Sequence, residues 1–363
     1  MLFLKKLHIT QYKNYSFATY DFNERITGVC GLNGKGKTNL LDAIYYCCFT
    51  KSYFSKMDGQ NIRFNSDGFR LEADFIKEDE AQKVVCINRG NTKKELLLNN
   101  VAYDKMSHHI GQFPAVMIAP DDIQLITDGS EERRRFMDTV ISQADSDYLQ
   151  LLIQYNKILQ QRNSALKRFG DEGKTDLALL EVLDGQLLKP ALYIYSRRVA
   201  FMQKLLPLVE AFCLQIAGKN EQVSLQYESQ LKTGNFEDLL LQNRQKDLLL
   251  QRTNAGIHKD EISIQLQGQP FKSIASQGQR KTLLFALKLA EFEILKQEKG
   301  FAPLLFLDDV FEKLDDGRMH QLLQKVCCEN EGQVFITDTH CDRLKEALEK
   351  IGVQYQLYEL NRK

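Results

Sequence analysis

The sequence GLNGKGKT at residues 31–38 constrains the fold more than any other part of the chain. It matches the phosphate-loop pattern G-x-x-x-x-G-K-[ST], in which glycines let backbone N–H groups surround a phosphate at the start of a helix. A β-like run precedes the loop and an amphipathic run follows it. We expect Lys37 to reach the β- and γ-phosphates of a nucleotide, and Thr38 to coordinate Mg²⁺ through its hydroxyl. The residues expected to bind the nucleotide are Gly31, Leu32, Asn33, Gly34, Lys35, Gly36, Lys37, Thr38 and Asn39.

A pair of carboxylates follows a second apolar run near the C-terminal end of the chain. Residues 304–307 are LLFL, and Asp308 and Asp309 come directly after them. Buried strands of this kind deliver an aspartate to the C-terminal edge of a sheet, next to the phosphate loop. We expect Asp308 to hold Mg²⁺ and Asp309 to polarise an attacking water molecule.

A third motif lies about 30 residues before Asp308. Ser276, Gln277, Gly278 and Gln279 immediately precede a long apolar helical run, and Ser276 suits a helix N-cap. This is the place of the signature motif in ABC-type ATPases. In that class the serine, the glycine backbone and the helix start bind the γ-phosphate of an ATP that a second subunit holds, again by anion binding at a helix N-terminus.

The predicted secondary structure changes in character twice along the chain, which indicates one domain interrupted by another. Residues 1–120 alternate short β-like runs with turns, residues 121–250 carry long helical patterns, and residues 251–363 return to mixed strands and helices. The runs FRLEADFI, KVVCINR and ELLLNNVAY predict consecutive antiparallel strands, and Pro190 suits a helix start. We expect an α/β ABC-type P-loop ATPase head with a mixed β-sheet, interrupted by an all-helical subdomain that carries a short hairpin.

Composition excludes some classes of protein. Lys plus Arg and Asp plus Glu both number 48, so the chain is not a strongly basic nucleic-acid protein, although residues 1–56 carry eight basic residues against three acidic ones. No run approaches 18 apolar residues, so we expect no membrane span. The eight cysteines form no C-x-x-C motif and no disulfide framework. We therefore expect reduced cysteines packed as small apolar residues in a cytoplasmic protein.

Taken together, these motifs resemble the RecF family along essentially the whole chain. The shared segments are YKNY, GLNGKGKTNLLDAIY, APDDIQLITDGSEERRRFMD, AGIHKDE, SQGQRKTLLFALKLAE, LLFLDDVFEKLD and VFITDTH. The resemblance implies an ABC-type ATPase whose head is related to those of chromosome-maintenance and break-repair ATPases. It also implies ATP-dependent dimerisation, DNA binding, and cooperation with RecO and RecR in loading RecA at single-stranded gaps. The preferred DNA structure (single strand, duplex or gap junction) stays open, and the implied setting is the nucleoid and the SOS response.

The resemblance also assigns residues by position. It places Lys37 and Thr38 on ATP and Mg²⁺, and it assigns residues 276–279 to the partner subunit's site. Asp315 stands where proteins of this family have the loop that crosses the dimer interface. Thr339 or His340 stands where they have a γ-phosphate sensor. Asp121 or Asp122 falls where related heads carry a glutamine near Mg²⁺. We assign catalytic roles to Asp309, Lys37 and His340, and metal-binding roles to Thr38, Asp308 and Asp122.

Some positions depart from the family pattern. Ile257 and Lys259 stand where the family commonly has Pro and Arg, and a lysine lacks the bidentate fork of arginine. The pair Asp308-Asp309, rather than Asp-Glu, matches the RecF family. Because an aspartate reaches less far than a glutamate, we expect slow ATP hydrolysis.

Two other classes share parts of this pattern. An ABC transporter ATPase subunit has the same nucleotide chemistry, but the motif here is S-Q-G-Q rather than L-S-G-G-Q, and the helical insertion is longer than usual. A structural chromosome protein would need long coiled-coil arms, for which the helical block is too short. DNA-dependent ATP hydrolysis would separate the transporter alternative from the RecF-like one.

Overall fold

The computed structural model describes the chain except residues 91–93, 219–221, 313–315 and 361–363 and the side chains of Glu312 and Asp316. It divides into two compact units. Unit 1 comprises Met1–Ile123, Ala211–Asn220 and Gln277–Lys363, and unit 2 comprises Gln124–Glu210 and Glu221–Ser276. These bounds differ from the expected ones: residues 251–276 belong to unit 2, and residues 121–123 and 211–220 belong to unit 1.

The strands range from two residues to the eleven residues of the first strand. In chain order they are β1 (Leu2–Tyr12), β2 (Tyr15–Asp21), β3 (Ile26–Cys30), β4 (Phe69–Lys77), β5 (Glu80–Asn88), β6 (Glu95–Leu98), β7 (Val101–Ala102), β8 (Ala115–Ile118), β9 (Val223–Glu228), β10 (Glu261–Leu266), β11 (Gln269–Pro270), β12 (Leu304–Leu307), β13 (Val334–Asp338) and β14 (Gln356–Glu359).

The helices range from single turns to one very long helix. In chain order they are α1 (Lys37–Phe49), α2 (Gln124–Thr127), α3 (Ser130–Ala144), α4 (Ser146–Glu172), α5 (Leu177–Ala217), α6 (Phe236–Leu250), α7 (Phe271–Ile274), α8 (Gln277–Lys299), α9 (Asp316–Leu323) and α10 (Cys341–Lys350). A five-residue π-helical turn, Gln324–Cys328, follows α9.

Unit 1 contains two sheets of different kinds. One is six-stranded, in the order β2-β1-β4-β5-β6-β7, and its paired strands are antiparallel. This confirms the strands expected at FRLEADFI and KVVCINR, whereas the run ELLLNNVAY forms two paired strands, β6 and β7, instead of one. The other is five-stranded and parallel, in the order β14-β3-β13-β12-β8. Because all of its strands run the same way, the residues that follow β3, β12 and β13 meet at one edge.

The helix after the phosphate loop lies in the core of unit 1. Its side chains share one hydrophobic cluster with residues of β1, β4, β8, β12 and β13, which belong to both sheets. Eleven of the 13 residues of α1 are buried, so the helix is covered nearly all round rather than on one broad face. The two residues of α1 that are not buried are Thr38 and Asn39, at the end of the helix that adjoins the phosphate loop.

The strand expected at EISIQLQ forms, but not in the ATPase sheet. It is β10, which pairs antiparallel with β9 and β11 in a three-stranded sheet of unit 2. Alternation of apolar and polar residues predicts a strand but does not identify the strand that pairs with it. Here that strand is β9, which lies within residues 121–250, where we expected mainly helices.

Buried charges hold the helices of unit 2 together. The guanidinium of Arg162, which has no exposed surface, donates to Asp184 at 2.6 Å, to Asp247 at 2.7 Å and to Thr253 at 2.9 Å. Arg198, also buried, donates to Asp260 at 2.6 Å. Each of these charges has a partner that offsets part of its desolvation.

The expected helix start at Pro190 is wrong. Pro190 and Pro207 both lie inside the 41-residue α5. Proline usually ends a helix because it removes one backbone hydrogen bond and crowds the preceding turn. Here Ala191 and Ile194, which follow Pro190 within about one turn, have no exposed surface. Tertiary packing of α5 therefore outweighs the local preference of proline.

In the described part of the chain, α5 is also long and apolar enough to cross a membrane, by length and composition alone. Core helices of soluble proteins can be equally long and apolar. In the most apolar 18-residue segment of α5, 39% is buried. Asp184 and Arg198 of this helix are buried in ion pairs with other elements of unit 2. The absence of a membrane span therefore stays a prediction.

Arg162→Ala should lower the free energy of unfolding by about 3–5 kcal/mol, because it leaves the carboxylate of Asp247 buried without its cation. Arg168→Ala on the same helix removes an exposed guanidinium that lies 5.5 Å from the ring of Phe169, and should cost at most about 1 kcal/mol. Urea unfolding of both variants tests this difference. Equal losses would contradict the assigned role of the buried network.

Stability should also depend on pH through His109, which has no exposed surface. Its Nε2 donates to the Cys47 carbonyl at 2.7 Å, so Nδ1 accepts from the Tyr103 hydroxyl at 3.2 Å. Burial lowers the pKa of His109 from 6.5 to about 4. A depressed histidine pKa contributes stability that is complete above pH 6.5 and is lost as the pH falls through about 4, here about 3 kcal/mol.

His109→Gln can still donate to the Cys47 carbonyl but cannot take up a proton. Between pH 7 and pH 4, unfolding free energies of the variant should therefore fall less steeply than those of the wild type. Carboxylates titrate equally in both proteins and cancel in the comparison. The same pH slope in both would refute the assignment.

Candidate functional site

The phosphate loop joins the end of β3 to the start of α1. Gly36 has φ 104°, and a Cβ there would lie 2.7 Å from Asn14 Nδ2 and 3.0 Å from the Tyr15 hydroxyl, so only glycine fits. The Tyr15 hydroxyl donates to the Gly36 carbonyl at 3.0 Å, and Asn39 Nδ2 donates to Asn14 Oδ1 at 2.8 Å. The turn between β1 and β2 thus braces the loop. Sequence reasoning gave Asn14 and Tyr15 no role of their own.

Lys37 lies inside the loop rather than out in solvent. It is 7% exposed, and its Nζ donates to the carbonyls of Gly31 at 2.7 Å and Leu32 at 3.3 Å. The first N–H groups of α1 have no helical partners, which makes this helix start a place for an anion. Leu32, Asn33 and Gly34 form the exposed outer part of the loop, and Lys35 is half-buried.

Asp308 connects the phosphate loop with the neighbouring strands. The Thr38 hydroxyl lies 3.0 Å from both carboxylate oxygens of Asp308, and the Thr337 hydroxyl donates to Oδ1 at 2.8 Å. The Asp308 amide donates to the Ile118 carbonyl at 2.8 Å, which fixes the residue at the end of β12. Burial raises the pKa of Asp308, against the two threonine hydrogen bonds, which lower it. A hydroxyl and a buried carboxylate in contact are a suitable pair of oxygen ligands for Mg²⁺.

Thr337 is a site residue that sequence reasoning missed. It is fully buried near the end of β13, and it accepts the backbone N–H of Asp309 at 2.8 Å while donating to Asp308. The sequence signal was a hydroxyl within an otherwise apolar strand, VFIT. Asp309 itself has φ 49°, in the left-handed region that aspartate enters more often than most residues.

Asp122 lies in a separate buried network. Its Oδ2 accepts the Ala119 amide at 2.8 Å and lies 3.7 Å from Lys288 Nζ, and its Oδ1 accepts the hydroxyl of Tyr53. Lys288 also lies 3.4 Å from Glu291, whose pKa is raised to about 7 by burial. The structure thus brings Asp122 against a cation of α8. Its metal-binding role stays a prediction.

The expected γ-phosphate sensors follow the end of β13. The Gly31 amide donates to the Asp338 carbonyl at 3.2 Å, which ties this strand end to the phosphate loop. The Thr339 hydroxyl and His340 Nδ1 lie 2.8 Å apart, and His340 is exposed. The choice between these two residues stays open. Among the described residues, no group of three or more His, Cys, Asp or Glu side chains is arranged to hold a metal ion.

The signature residues stand at the start of a long helix, as expected. Gln277, Gly278 and Gln279 form the first turn of α8, and Ser276 precedes it with an exposed side chain. Thirteen of the 23 residues of α8 are buried, all of them after this turn, so the helix start is held by a firmly packed body. Asp315, expected in the interface loop, lies outside the described residues.

The expectation that all cysteines are reduced is wrong for one pair. Cys30 and Cys341 form a disulfide, with Cα atoms 5.1 Å apart. Parallel pairing of β13 with β3 sets Asp338 opposite Cys30, so the residue three positions further on arrives beside it. The bond joins the end of the strand before the phosphate loop to the start of α10. The other six cysteines take no part in this disulfide, and all of them but Cys328 are buried.

A known protein family matches almost the whole chain. The family model of the RecF/RecN/SMC N terminal domain matches residues 3–360. The DNA replication and repair protein RecF of Flavobacterium johnsoniae is 42% identical over 357 residues, which cover 98% of this chain and 99% of that protein. The protein of the same name from Bacteroides thetaiotaomicron is 40% identical, over 99% of this chain and 97% of its own.

Solved structures agree with this grouping. The recombination mediator protein RecF-ATP of the RecFOR pathway superposes with a TM-score of 0.86 and 30% identity, covering 93% of this chain and 92% of its own. The Smc head domain of Pyrococcus furiosus has a TM-score of 0.55 at 15% identity, over 96% of this chain and 92% of its own, and shares the fold alone. With the phosphate loop, the Asp308 contact and the signature turn in their expected places, this chain belongs to the RecF family and has the fold of an ABC-type ATPase head with a helical insertion.

Proposed function

We propose that this chain is an ATP-dependent DNA-binding clamp of recombinational DNA repair and replication-fork maintenance. Its relatives are named for DNA replication and repair, and one solved relative is a recombination mediator with ATP. The observation that carries the proposal is the contact between Thr38 and Asp308 beside the phosphate loop. In the proposed site, that contact would join the phosphate-binding residues to the metal-binding ones.

The residues at this contact fit Mg²⁺. Thr38 and Asp308 offer oxygen ligands, which Mg²⁺ prefers, and the 3%-exposed carboxylate of Asp308 is favourable for a cation. Mg²⁺, when bound, would offset negative charge on the phosphate oxygens. Lys37, which now donates to loop carbonyls, would turn its ammonium to the β- and γ-phosphates.

Hydrolysis then depends on residues at the same sheet edge. Asp309 would accept a proton from the attacking water, and His340 or Thr339 would contact the γ-phosphate. The left-handed backbone of Asp309, held by the Thr337 hydroxyl, supports a functional role, since such conformations concentrate at active sites. A short aspartate base predicts slow turnover, as suits a switch.

ATP would close a homodimer in which Ser276, Gln277, Gly278, Gln279 and Asp315 of one chain complete the ATP site of the other. DNA would be enclosed mainly through its phosphates, so binding should fall with salt and depend little on sequence. RecO- and RecR-like proteins are the proposed partners, and RecA loading at gaps, within the SOS response, is the proposed outcome. A cytoplasmic, nucleoid-associated location follows from that role. ATP-dependent binding to single-stranded, duplex and gapped DNA at fixed salt would identify the preferred structure.

Asp309→Asn should abolish most ATP hydrolysis, by about 10²-fold or more, because the amide cannot accept the proton of water. ATP binding should persist, because the phosphate loop is intact. Wild-type turnover itself should lie below about 10 s⁻¹. Phosphate release and binding of a fluorescent ATP analogue measure the two quantities, with Asp104→Asn, at an exposed site, as the control. Undiminished hydrolysis by Asp309→Asn would exclude it as the base.

Ser276→Arg should prevent ATP-dependent dimerisation, because a bulky side chain would fill the place expected for the partner's γ-phosphate. Ser273→Arg, three residues earlier and also exposed, adds the same charge and volume outside the signature and should dimerise as the wild type does. Light scattering with and without ATP measures the mass. The clamp proposal fails if ATP produces no wild-type dimer, or if Ser276→Arg dimerises equally well.

A further inference from the structure

The hydroxyl of Thr337 lies where the backbone pairing of two neighbouring strands stops. The paired residues of β12 and β13 end at Leu307 and Ile336. Two residues after Leu307, the backbone N–H of Asp309 donates to the side-chain oxygen of Thr337 at 2.8 Å. A side-chain oxygen therefore continues the contact between the two strands at the point where the chain leaves the sheet.

The directions of the two hydrogen bonds of Thr337 are fixed by the groups that it contacts. A backbone N–H can only donate, so the hydroxyl oxygen accepts from Asp309. The single proton of the hydroxyl is then directed to Asp308, whose Oδ1 lies 2.8 Å away. The carboxylate expected to hold Mg²⁺ thus orients a hydroxyl that in turn holds the backbone of Asp309.

Thr337 is itself held firmly by the sheet. It has no exposed surface, and it lies opposite Val29 in the parallel pairing of β13 with β3. A β-branched side chain has few rotamers open to it, so the hydroxyl is fixed once the strand is fixed. Burial also keeps this hydroxyl away from a bound nucleotide. Any influence of Thr337 on hydrolysis therefore passes through Asp308 or Asp309.

The backbone of Asp309 needs a partner that imposes its conformation. Its φ of 49° lies in the left-handed region, which disfavours residues that carry a Cβ. Such conformations persist where the surrounding groups over-determine them. The direction of the Asp309 carboxylate follows from this backbone, and a displacement of about 1 Å can lower a catalytic rate about 100-fold.

We propose that Thr337 is a positioning residue for ATP hydrolysis, whose hydroxyl sets the place of the Asp309 carboxylate relative to that of Asp308. The proposal rests on the proposed function, in which Asp309 accepts a proton from the attacking water. A role confined to packing the strands would require the volume of Thr337 but not its hydroxyl. Substitution can separate these two properties.

Thr337→Val keeps the shape of the side chain and removes the hydroxyl, whereas Thr337→Ser keeps the hydroxyl. Thr337→Val should lower kcat at least about 10-fold and change KM for ATP less than about 3-fold, because the phosphate loop and the contact of Thr38 with Asp308 remain. Thr337→Ser should stay within about 3-fold of the wild type in both constants. Phosphate release gives the constants, and binding of a fluorescent ATP analogue shows that each variant is folded.

The chain offers a matched control in the neighbouring strand β3. Thr27 is as fully buried as Thr337, but its hydroxyl has no hydrogen-bond partner among the described residues. Thr27→Val therefore makes the same chemical change in the same sheet without removing a contact. It should leave kcat and KM as they are in the wild type.

Hydrogen exchange tests the contact itself, without nucleotide or metal. The Asp309 amide should exchange at least about 10-fold faster in Thr337→Val than in the wild type, because it has lost its acceptor, and at an unchanged rate in Thr27→Val. Mass spectrometry with fragmentation to single residues gives this rate. The Asp308 amide, which donates to the Ile118 carbonyl, is the internal reference and should exchange equally in all variants.

A double substitution shows whether Thr337 acts through Asp309. Asp309→Asn already removes the proposed base, so adding Thr337→Val to it should lower hydrolysis less than about 2-fold further. If Thr337 acted independently of Asp309, the two losses would multiply.

The outcomes distinguish a failure of this inference from a failure of the proposed function. If Asp309→Asn hydrolyses ATP as fast as the wild type, the assignment of the base fails. If Asp309→Asn is slow, the inference is overturned by wild-type hydrolysis or wild-type amide exchange in Thr337→Val, by equal losses in Thr337→Val and Thr337→Ser or Thr27→Val, or by losses that multiply. Slow hydrolysis and fast exchange in Thr337→Val, with both restored in Thr337→Ser, would establish the positioning role.

Discussion

The contact of Asp308 with Thr38 and Thr337 is the interaction on which the candidate site depends. It joins the ends of β12 and β13 to the first turn of α1, so three segments far apart in sequence share one carboxylate. Asp308 is 3% exposed, and burial raises its pKa, so the carboxylate needs donors or a cation to remain charged. The two hydroxyls supply part of that stabilisation. Positioning matters here because displacements of about 1 Å can cost catalysis 100-fold.

Local sequence signals predict this arrangement well where strands are parallel. Each of the three apolar runs ITGVC, LLFL and VFIT ends at a polar or glycine-rich segment, and parallel pairing brings those ends to one edge. The phosphate loop and Asp308 could therefore be placed without knowing the partner strands, and the signature turn could be placed by the long apolar helical run that follows it. The same argument missed Thr337, because one hydroxyl in an apolar strand has many explanations besides an Asp308 contact.

The expectations that were wrong or incomplete concern contacts that depend on how distant parts of the chain pack together. Cys30 and Cys341 are 311 residues apart, and nothing in their spacing shows that β13 pairs with β3. Asp122 and Lys288 meet only because their elements pack together in unit 1. Pro190 has a strong local preference, worth about 3 kcal/mol in a helix interior, yet packing of Ala191 and Ile194 carries α5 through it. The pairing of β10 with β9 was not predicted, because a strand pattern does not specify which strand lies next to it.

The electrostatics of the two helix starts suggest why a single phosphate could control association. Neither α1 nor α8 carries an acidic residue of its own in its first turn, so the partial positive charge of each helix start favours an anion. In the proposed dimer, α1 of one chain holds the β- and γ-phosphates while α8 of the other faces the γ-phosphate alone. Losing that phosphate removes most of the negative charge that attracts α8, but it leaves the anion on α1. Hydrolysis would then weaken the contact between chains more than the binding of nucleotide to its own chain, which is the asymmetry that a reusable clamp requires.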